Sequence, residues 1–169
     1  MVLKRFLPRG IYGRAALILI VPIVTIQLVV SMAFIQRHYE GVTRQMTQGV
    51  ALELELVLQE FALGATAGEG LARASAVAAP LQIVLHAPPG PLAPQGDRRD
   101  QFDLSGRAIV ETLHQNLPAL LAVDVTDPGR TVRLRLSTPH GEVQADLSRR
   151  RMAASNPHQL LVLMILISV

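Results

Sequence analysis

The chain has 169 residues, of which half are apolar and only 17% are charged, against roughly 25% charged in ordinary globular domains. This length leaves room for one modest domain together with membrane segments. The absence of cysteine excludes disulfides, thiolate catalysis and cysteine-based zinc sites. The small aromatic content, 4%, argues against stacking platforms for bases or sugars.

The first recognisable segment is an uncharged apolar run of 21 residues, Ala15–Ile35, close to the roughly 20 residues that cross a hydrocarbon core. Only basic charges precede the run, whereas the charges after it are mixed in sign. The positive-inside rule therefore predicts that residues 1–14 form a cytoplasmic tail and that residues 36–159 lie in the periplasm, outside a bacterial inner membrane. The basic residues of the tail are Lys4, Arg5, Arg9 and Arg14.

A cleaved signal peptide is the alternative interpretation of this segment. Ser31, Met32 and Ala33 place small residues where a peptidase needs them, and the flanking charges suit both interpretations. The run is nevertheless longer than the roughly 7–15 apolar residues of signal peptides, and the helical pattern continues beyond Ala33. An uncleaved transmembrane anchor is therefore favoured.

Three residues inside the run are candidates for transmembrane packing and signalling: Pro22, Thr25 and Gln27. Pro22 removes one helical hydrogen bond and should bend the helix. Gln27 in hydrocarbon prefers a polar partner, which a neighbouring helix could supply. Alternatively, Thr25 and Gln27 satisfy the carbonyl groups that Pro22 leaves free, and the sequence does not separate the two interpretations.

A second apolar run, Leu160–Val169, closes the sequence. Its ten residues are too few to span a bilayer, and no polar residue follows them. The run predicts the beginning of a second transmembrane helix that is cut short within it. An apolar C-terminal core helix is the weaker alternative, because the run is apolar on every side.

Residues 36–159 are expected to form one domain that begins with a long helix, Gln36–Leu63. Apolar residues recur there every three or four positions, and no proline interrupts them. This face can pack on its own domain or on the same helix of a second copy, and both remain open. Its members are Tyr39, Val42, Met46, Val50, Leu54, Val57 and Phe61.

The middle of the domain alternates between short elements and loops. Residues 64–79, rich in Ala and Gly, predict a loop or a short helix, and residues 80–86 predict a strand. Four prolines in residues 87–100 indicate a loop. Residues 105–116 predict a helix with Ser105 as its N-cap.

Three segments near the end of the domain alternate between apolar and polar residues, with turns at residues 127–130 and 139–141. This period of two predicts an antiparallel sheet that is buried on one face and solvated on the other. The fold class that follows is an α+β domain with helices on one face of a small sheet. The apolar positions are Leu121, Val123, Val125, Val132, Leu134, Leu136, Val143, Ala145 and Leu147.

No motif in the sequence indicates catalysis. None of the five histidines lies in an HExxH-like arrangement, so a metal site has no support. Glu53 and Glu55 point to different sides of their helix and do not form a carboxylate pair. Phosphate-binding loops and the GxSxG motif are missing from the sequence. We therefore expect no catalytic, cofactor-binding or metal-binding residue in this chain, and no nucleic-acid partner.

Three basic clusters remain, and a solvated face is the plain interpretation of each. The first is Arg98-Arg99 in a predicted loop. Arg133 and Arg135, on one strand face, could instead receive an acidic ligand or partner, and Arg149, Arg150 and Arg151 could contact anionic lipid headgroups.

Both ends of the chain resemble a known family. Residues 6–47, with the VPIVTIQ stretch around Pro22 and the QRHYE sequence at residues 36–40, resemble the N-terminus of EnvZ-like, osmosensor-type sensor histidine kinases of alphaproteobacteria. Residues 147–165 are similar to that family's entry into its second transmembrane helix. The middle of the chain matches only in general plan.

The resemblance implies the input region of a two-component sensor: two spans around a periplasmic domain, here expected to be PAS/PDC-like, in a homodimer. A HAMP relay, a phospho-acceptor helix and an ATP-binding domain would follow in the parent kinase. None of the histidines has the phospho-acceptor context, so no catalytic residue is carried over and this chain is not expected to be an enzyme. A self-contained membrane-anchored adaptor is the alternative.

Overall fold

A computed structural model describes residues 11–101, 103–127 and 130–153 of the chain. By their contacts, the described residues divide after His38 into two units, residues 11–38 and residues 39–153. The second apolar run, Leu160–Val169, lies outside the described residues.

The first element is a helix of 52 residues, α1 (Ile11–Ala62), with Pro22 inside it. Its most apolar window has a mean hydropathy of 2.6, and only 6% of that window is buried. By length and composition this is one helix able to cross a membrane. The expected helix over residues 36–63 is confirmed to within one residue at its C-terminal end.

The C-terminal half of α1 buries one face. Val50, Leu54, Val57 and Phe61 are each at most 3% exposed, at the spacing of three and four that places residues on one side of a helix. These side chains belong to one apolar cluster together with residues from every strand of the domain. From Val50 onward, the periodicity seen in the sequence therefore marks the face of α1 that packs on its own domain. Before Val50 the prediction is less exact, because Tyr39, Val42 and Met46 are only partly buried and Thr43 and Thr47 are the buried positions.

A short second helix, α2 (Ala67–Ala78), settles the segment for which loop and helix were both open. Its first turn carries a reciprocal cap: the Thr66 hydroxyl accepts from the Glu69 N–H at 3.2 Å, and the Glu69 carboxylate accepts from the Ala65 N–H at 3.0 Å. The helix continues beyond this cap along a buried face of small residues, Gly70, Ala74 and Ala78. Small residues let α2 approach α1 closely.

The middle of the domain holds a strand, β1 (Ile83–His86), and a helix, α3 (Leu104–Asn116). The expected N-cap of α3, Ser105, is wrong. Asp103 is the N-cap, because its carboxylate accepts from the Gly106 N–H at 2.8 Å, and the Ser105 hydroxyl instead donates to Asp103. The two residue types compete for the same role, and the carboxylate is the stronger acceptor.

Three further strands complete the sheet: β2 (Leu120–Asp124), β3 (Thr131–Thr138) and β4 (Gly141–Ser148). The four strands lie in the order β1-β4-β3-β2, and every pair is antiparallel. Gly141, in the tight turn between β3 and β4, has a φ of 113°, which glycine adopts without steric cost.

The three helices contribute to the core on one face of this sheet, which confirms the α+β class with a small antiparallel sheet. Two details differ from expectation. Leu121 is 45% exposed, because a register shift between Leu120 and Ala122 turns it out of the core. The opposite face is also not simply solvated: Gln144 is 3% exposed and its side-chain oxygen accepts from the Gly90 N–H at 3.0 Å. The proline-rich segment thus reaches that face.

The contact between α1 and α2 predicts how two glycines of one helix differ. A Cβ at Gly70 would lie 2.4 Å from the Phe61 carbonyl oxygen, whereas a Cβ at Gly68 would meet nothing within 4 Å. Gly70→Ala should therefore lower the free energy of unfolding by about 1–3 kcal/mol. Gly68→Ala should leave it equal or raise it by up to about 1 kcal/mol. Thermal unfolding of the full chain in detergent measures both, and equal effects would contradict the close approach.

Candidate functional site

The candidate site is the turn in which β4 ends. Arg149–Arg151 form a 3-10 turn, and Met152, the next residue, is completely buried. The Arg149 N–H donates to the Arg130 carbonyl at 2.8 Å, and the N–H groups of Met152 and Ala153 both donate back to the Arg149 carbonyl. We call residues 149–153 the exit turn, because they follow β4, the last strand of the sheet along the chain.

Arg149 ties the exit turn to α3 and to the end of β2. Its guanidinium donates to the Asp103 carboxylate at 2.6 Å and to the Ser105 hydroxyl at 2.6 Å. It also donates to the Val125 carbonyl at 3.3 Å. Both charged side chains are largely buried, Arg149 at 20% and Asp103 at 17% exposure, so little water screens the pair.

Arg151 ties the same turn to α1. Its guanidinium donates to the Glu53 carboxylate and to the Leu81 carbonyl, which follows α2. One and a half turns earlier on α1, the Thr47 hydroxyl donates to the Met152 carbonyl at 3.4 Å in a buried position. The exit turn is therefore joined to α1 at two points, and to three other parts of the domain through the two arginines.

The electrostatics of Asp103 show which state this arrangement favours. Burial by itself would raise the pKa of Asp103, but the hydrogen bonds from Arg149, the Gly106 N–H and Ser105 outweigh it and lower the pKa below its usual value. The charged carboxylate is thus the form that the fold stabilises.

The third arginine of the turn behaves differently. Arg150 is exposed, and no side-chain hydrogen bond or ion pair connects it to another residue in the described part of the chain. Of the three arginines expected at lipid headgroups, the structure gives two of them internal acidic partners and leaves Arg150 directed outward.

Arg133 and Arg135, the candidates for an acidic ligand, lie on β3 and also pair internally. Arg133 donates to Asp127, and Arg135 forms a bidentate ion pair with Glu142, with N–O distances of 2.7 and 2.8 Å. The Arg133 Nε atom is buried and has no hydrogen-bond partner among the described residues. Both guanidinium groups are therefore occupied by carboxylates of their own sheet region.

Nearby polar residues fasten the proline-rich segment to the edge of β2. The Arg98 N–H donates to the Val123 carbonyl at 2.8 Å, and its carbonyl accepts from the Val125 N–H at 3.0 Å. Asp97 accepts from the Val123 N–H at 3.0 Å and lies 2.9 Å from His114. Arg98, expected in a loop, thus forms a parallel bridge with Asp124.

The remaining histidines have local roles. His86 lies 3.9 Å from Asp146, and the His140 ring packs near Phe61 with its centroid 6.2 Å away. The His38 ring stacks on Phe34. Across residues 11–101, 103–127 and 130–153, no three His, Asp or Glu side chains come together as metal ligands would.

The transmembrane candidates are placed as follows. Pro22 lies inside α1, and the Thr25 hydroxyl donates to the Val21 carbonyl at 2.8 Å, one helical turn earlier. The carbonyl that loses its N–H donor at Pro22 is that of Ile18, four residues earlier, so this bond does not decide between the two interpretations. Gln27 is exposed, and its side chain forms no hydrogen bond with another described residue.

Sequence reasoning found the arginines of the exit turn but missed their partners, Asp103 and Glu53. The two acids lie 46 and 98 positions away from the arginines they bind, so no local pattern links them. The only signal was Asp103 itself, two residues before the expected helix start.

The chain matches no family model, no curated protein and no solved structure.

The Arg149–Asp103 pair predicts a dependence of stability on pH. The folded-state pKa of Asp103 lies below the unfolded value of about 3.9. The contribution of Asp103 to the free energy of unfolding is therefore present above about pH 4 and is lost as the pH falls through the folded pKa. Asp103→Asn keeps a capping oxygen but removes the charge, and should lower the free energy of unfolding by about 1.5–3 kcal/mol at pH 7.

Denaturant titrations of the full chain between pH 7 and pH 2 measure this effect. The difference between the wild type and Asp103→Asn should shrink as the solution is acidified. Asp100→Asn, an exposed neighbour, is the control and should stay near the wild type throughout. A difference that does not change with pH would show that the Asp103 charge does not stabilise the fold.

Proposed function

We propose that this chain is the extracytoplasmic signal-input and transmembrane region of a two-component sensor histidine kinase. In this proposal residues 15–35 anchor it in the inner membrane with the N-terminus in the cytoplasm. Residues 36–159 form a PAS/PDC-like periplasmic domain that relays an external stimulus to a kinase core carried elsewhere. The chain itself performs no catalysis.

One observation carries the proposal: the exit turn is attached to α1 inside the domain. Arg151 binds Glu53, and the Met152 carbonyl accepts from Thr47. In sequence, α1 leads back to the first apolar run and the exit turn leads on toward the second. A change in the domain that loosens or shifts this attachment would alter the position of one segment with respect to the other, which is what a transmembrane relay requires.

The attachment of the exit turn to α1 can change, because its polar groups can exchange partners. Besides the buried Met152 side chain, it consists of hydrogen bonds and ion pairs between partly buried groups, Arg151 at 22% and Glu53 at 34% exposure. Polar attachments of this kind have alternative partners in water, so their two states can lie within a few kcal/mol of each other.

A homodimer is part of the proposal, and a stripe on α1 supports it. Large apolar side chains on the face away from the core are exposed: Leu52 at 68% and Leu56 at 49% on α1, and Leu63 at 65% in the turn that follows Ala62. With Gln45, Gly49 and Gln59, also exposed, they follow the alternating spacing of four and three that lets helices pair along a seam. The same stripe is the observation that would favour the adaptor alternative, in which it binds a different protein.

The relay is tested by joining the chain to a reporter kinase and breaking the attachment. Glu53→Gln and Arg151→Gln should each change basal kinase output in the same direction, because both remove the Arg151–Glu53 pair. Arg151→Gln also removes the bond to the Leu81 carbonyl, so the double variant should resemble Arg151→Gln. Glu55→Gln, an exposed position on the same helix, is the matched control and should leave output unchanged. Output that ignores Glu53 and Arg151 would refute the relay.

Topology and dimerisation can be tested with single cysteines, because the chain contains no cysteine. Ser137→Cys, an exposed position outside the stripe, should react with a membrane-impermeant maleimide in spheroplasts, and Leu56→Cys, on the stripe, should form a disulfide-linked dimer on oxidation. Leu54→Cys, completely buried, should do neither. Labelling only after lysis contradicts the periplasmic location, and labelling without cross-linking contradicts the dimer seam.

A further inference from the structure

A small cleft lies between the beginning of the domain part of α1 and the first turns of α3. It has a volume of about 260 Å³ and is lined by Glu40, Arg44, Leu104, Arg107, Ala108 and Glu111. Ligand pockets in proteins commonly enclose about 300–1,000 Å³, so this cleft suits only a small molecule or the head of a larger one.

The lining combines two pairs of opposite charges with an apolar floor. Leu104 is 52% exposed and offers carbon surface to a ligand, whereas Ala108 is 3% exposed and closes the base of the cleft. Glu40 and Arg44 are four residues apart on α1, and Arg107 and Glu111 are four residues apart on α3, so each pair faces one side of its helix. Each wall of the cleft therefore carries one positive and one negative group.

The charged residues of the two walls differ in whether they pair with each other. On α3, Arg107 donates to Glu111 at 2.7 Å. On α1, by contrast, Glu40 and Arg44 form no ion pair or hydrogen bond with any described side chain, although the spacing of four would permit one between them. Glu40 is half-buried, a place where a carboxylate without a partner is costly.

The charges nevertheless act on one another across the cleft. The hydrogen bond that Arg107 donates to Glu111 raises the pKa of Arg107, and the charge of Glu40 adds to that effect. The hydrogen bond from Arg107 lowers the pKa of Glu111, and Arg44 contributes in the same direction. Glu40 thus lies near Arg107, and Arg44 near Glu111, at distances too long for contact. The gap between the walls leaves space for groups that would satisfy both.

We propose that this cleft binds a compact zwitterion, in which a carboxylate or phosphate and an ammonium group are joined by a short carbon chain. Arg44 binds the anionic group, Glu40 binds the ammonium group, and the carbon chain lies on Leu104 and Ala108. A neutral molecule would leave both α1 charges without partners, and a simple ion would satisfy one of them only. The site stands independently of the sensor function proposed above.

Two sources can supply this chemistry: a free small molecule, such as an amino acid or a related osmolyte, and the headgroup of an ethanolamine phospholipid. Glu40 lies five residues after the uncharged run, which keeps the headgroup source open. Both sources present the same pair of charges, so they are separated by experiment.

The test uses the full chain, labelled with ¹⁵N-arginine, in nanodiscs of phosphatidylglycerol alone. β-Alanine is the free probe, and propionate and propylammonium are its single-charge analogues. In a second arm, half of the lipid is replaced by phosphatidylethanolamine. The side-chain Nε–H resonances of Arg44 and Arg107 report on the cleft.

Saturable shifts of these resonances with β-alanine assign a free zwitterion, and shifts only in the ethanolamine lipid assign the headgroup. The single-charge analogues should bind about tenfold more weakly than β-alanine. Glu40→Gln and Arg44→Gln should each lower the affinity for β-alanine by a similar factor. Glu55→Gln and Arg150→Gln, exposed residues outside the cleft, should bind as the wild type does.

Three results would overturn the proposal: no saturable shift in either arm, equal binding of β-alanine and propionate, or wild-type binding by Glu40→Gln. Arginine resonances outside the cleft serve as the check on folding, because they should be unchanged in each variant.

Discussion

The fold rests on the burial of one face of α1 against the sheet. The chain has no cysteine, so no disulfide cross-links the domain, and burial in the apolar cluster of the described residues is the main source of its stability. Val50, Leu54, Val57 and Phe61 enter that cluster from α1 and meet side chains of all four strands. Because this face fixes α1 on the sheet, it also fixes the positions of Thr47 and Glu53, one turn or less away, which receive the exit turn. Everything polar in the candidate site is therefore positioned by an apolar contact.

The exit turn connects parts of the packed domain that are distant from one another in the sequence. Arg149 reaches the N-terminus of α3 and the end of β2, while Arg151 reaches α1 and the residues after α2. Charged hydrogen bonds with little exposure contribute more than surface ion pairs, and each fails if either partner moves by about an ångström. Such a connection is rigid while intact and is lost when either ion pair breaks.

The surface of β3 and the cleft between α1 and α3 differ in whether their arginines already bind an acidic side chain. On β3, Arg133 and Arg135 are bound by Asp127 and Glu142, so these guanidinium groups would have to exchange a carboxylate already present for an external one. In the cleft, Glu40 and Arg44 have no such internal competitor among the described residues. A ligand there gains new interactions without breaking old ones. The distribution of ion pairs, more than the distribution of charge, thus distinguishes a structural face from a receptive one.

The sequence by itself determined the structural features that depend only on residues close to one another in the chain. The period of three to four gave α1 and its buried face, the period of two gave β3 and β4 and their core residues, and the apolar run gave a helix long enough to cross a membrane. The tertiary structure decided the rest: Asp103 rather than Ser105 as the cap of α3, the outward turn of Leu121, and the pairing of Arg149 and Arg151 with acids 46 and 98 positions away. Periodicity records which side of an element is apolar, since that follows from backbone geometry. Which carboxylate meets which guanidinium depends on how the elements pack, and no local pattern encodes it.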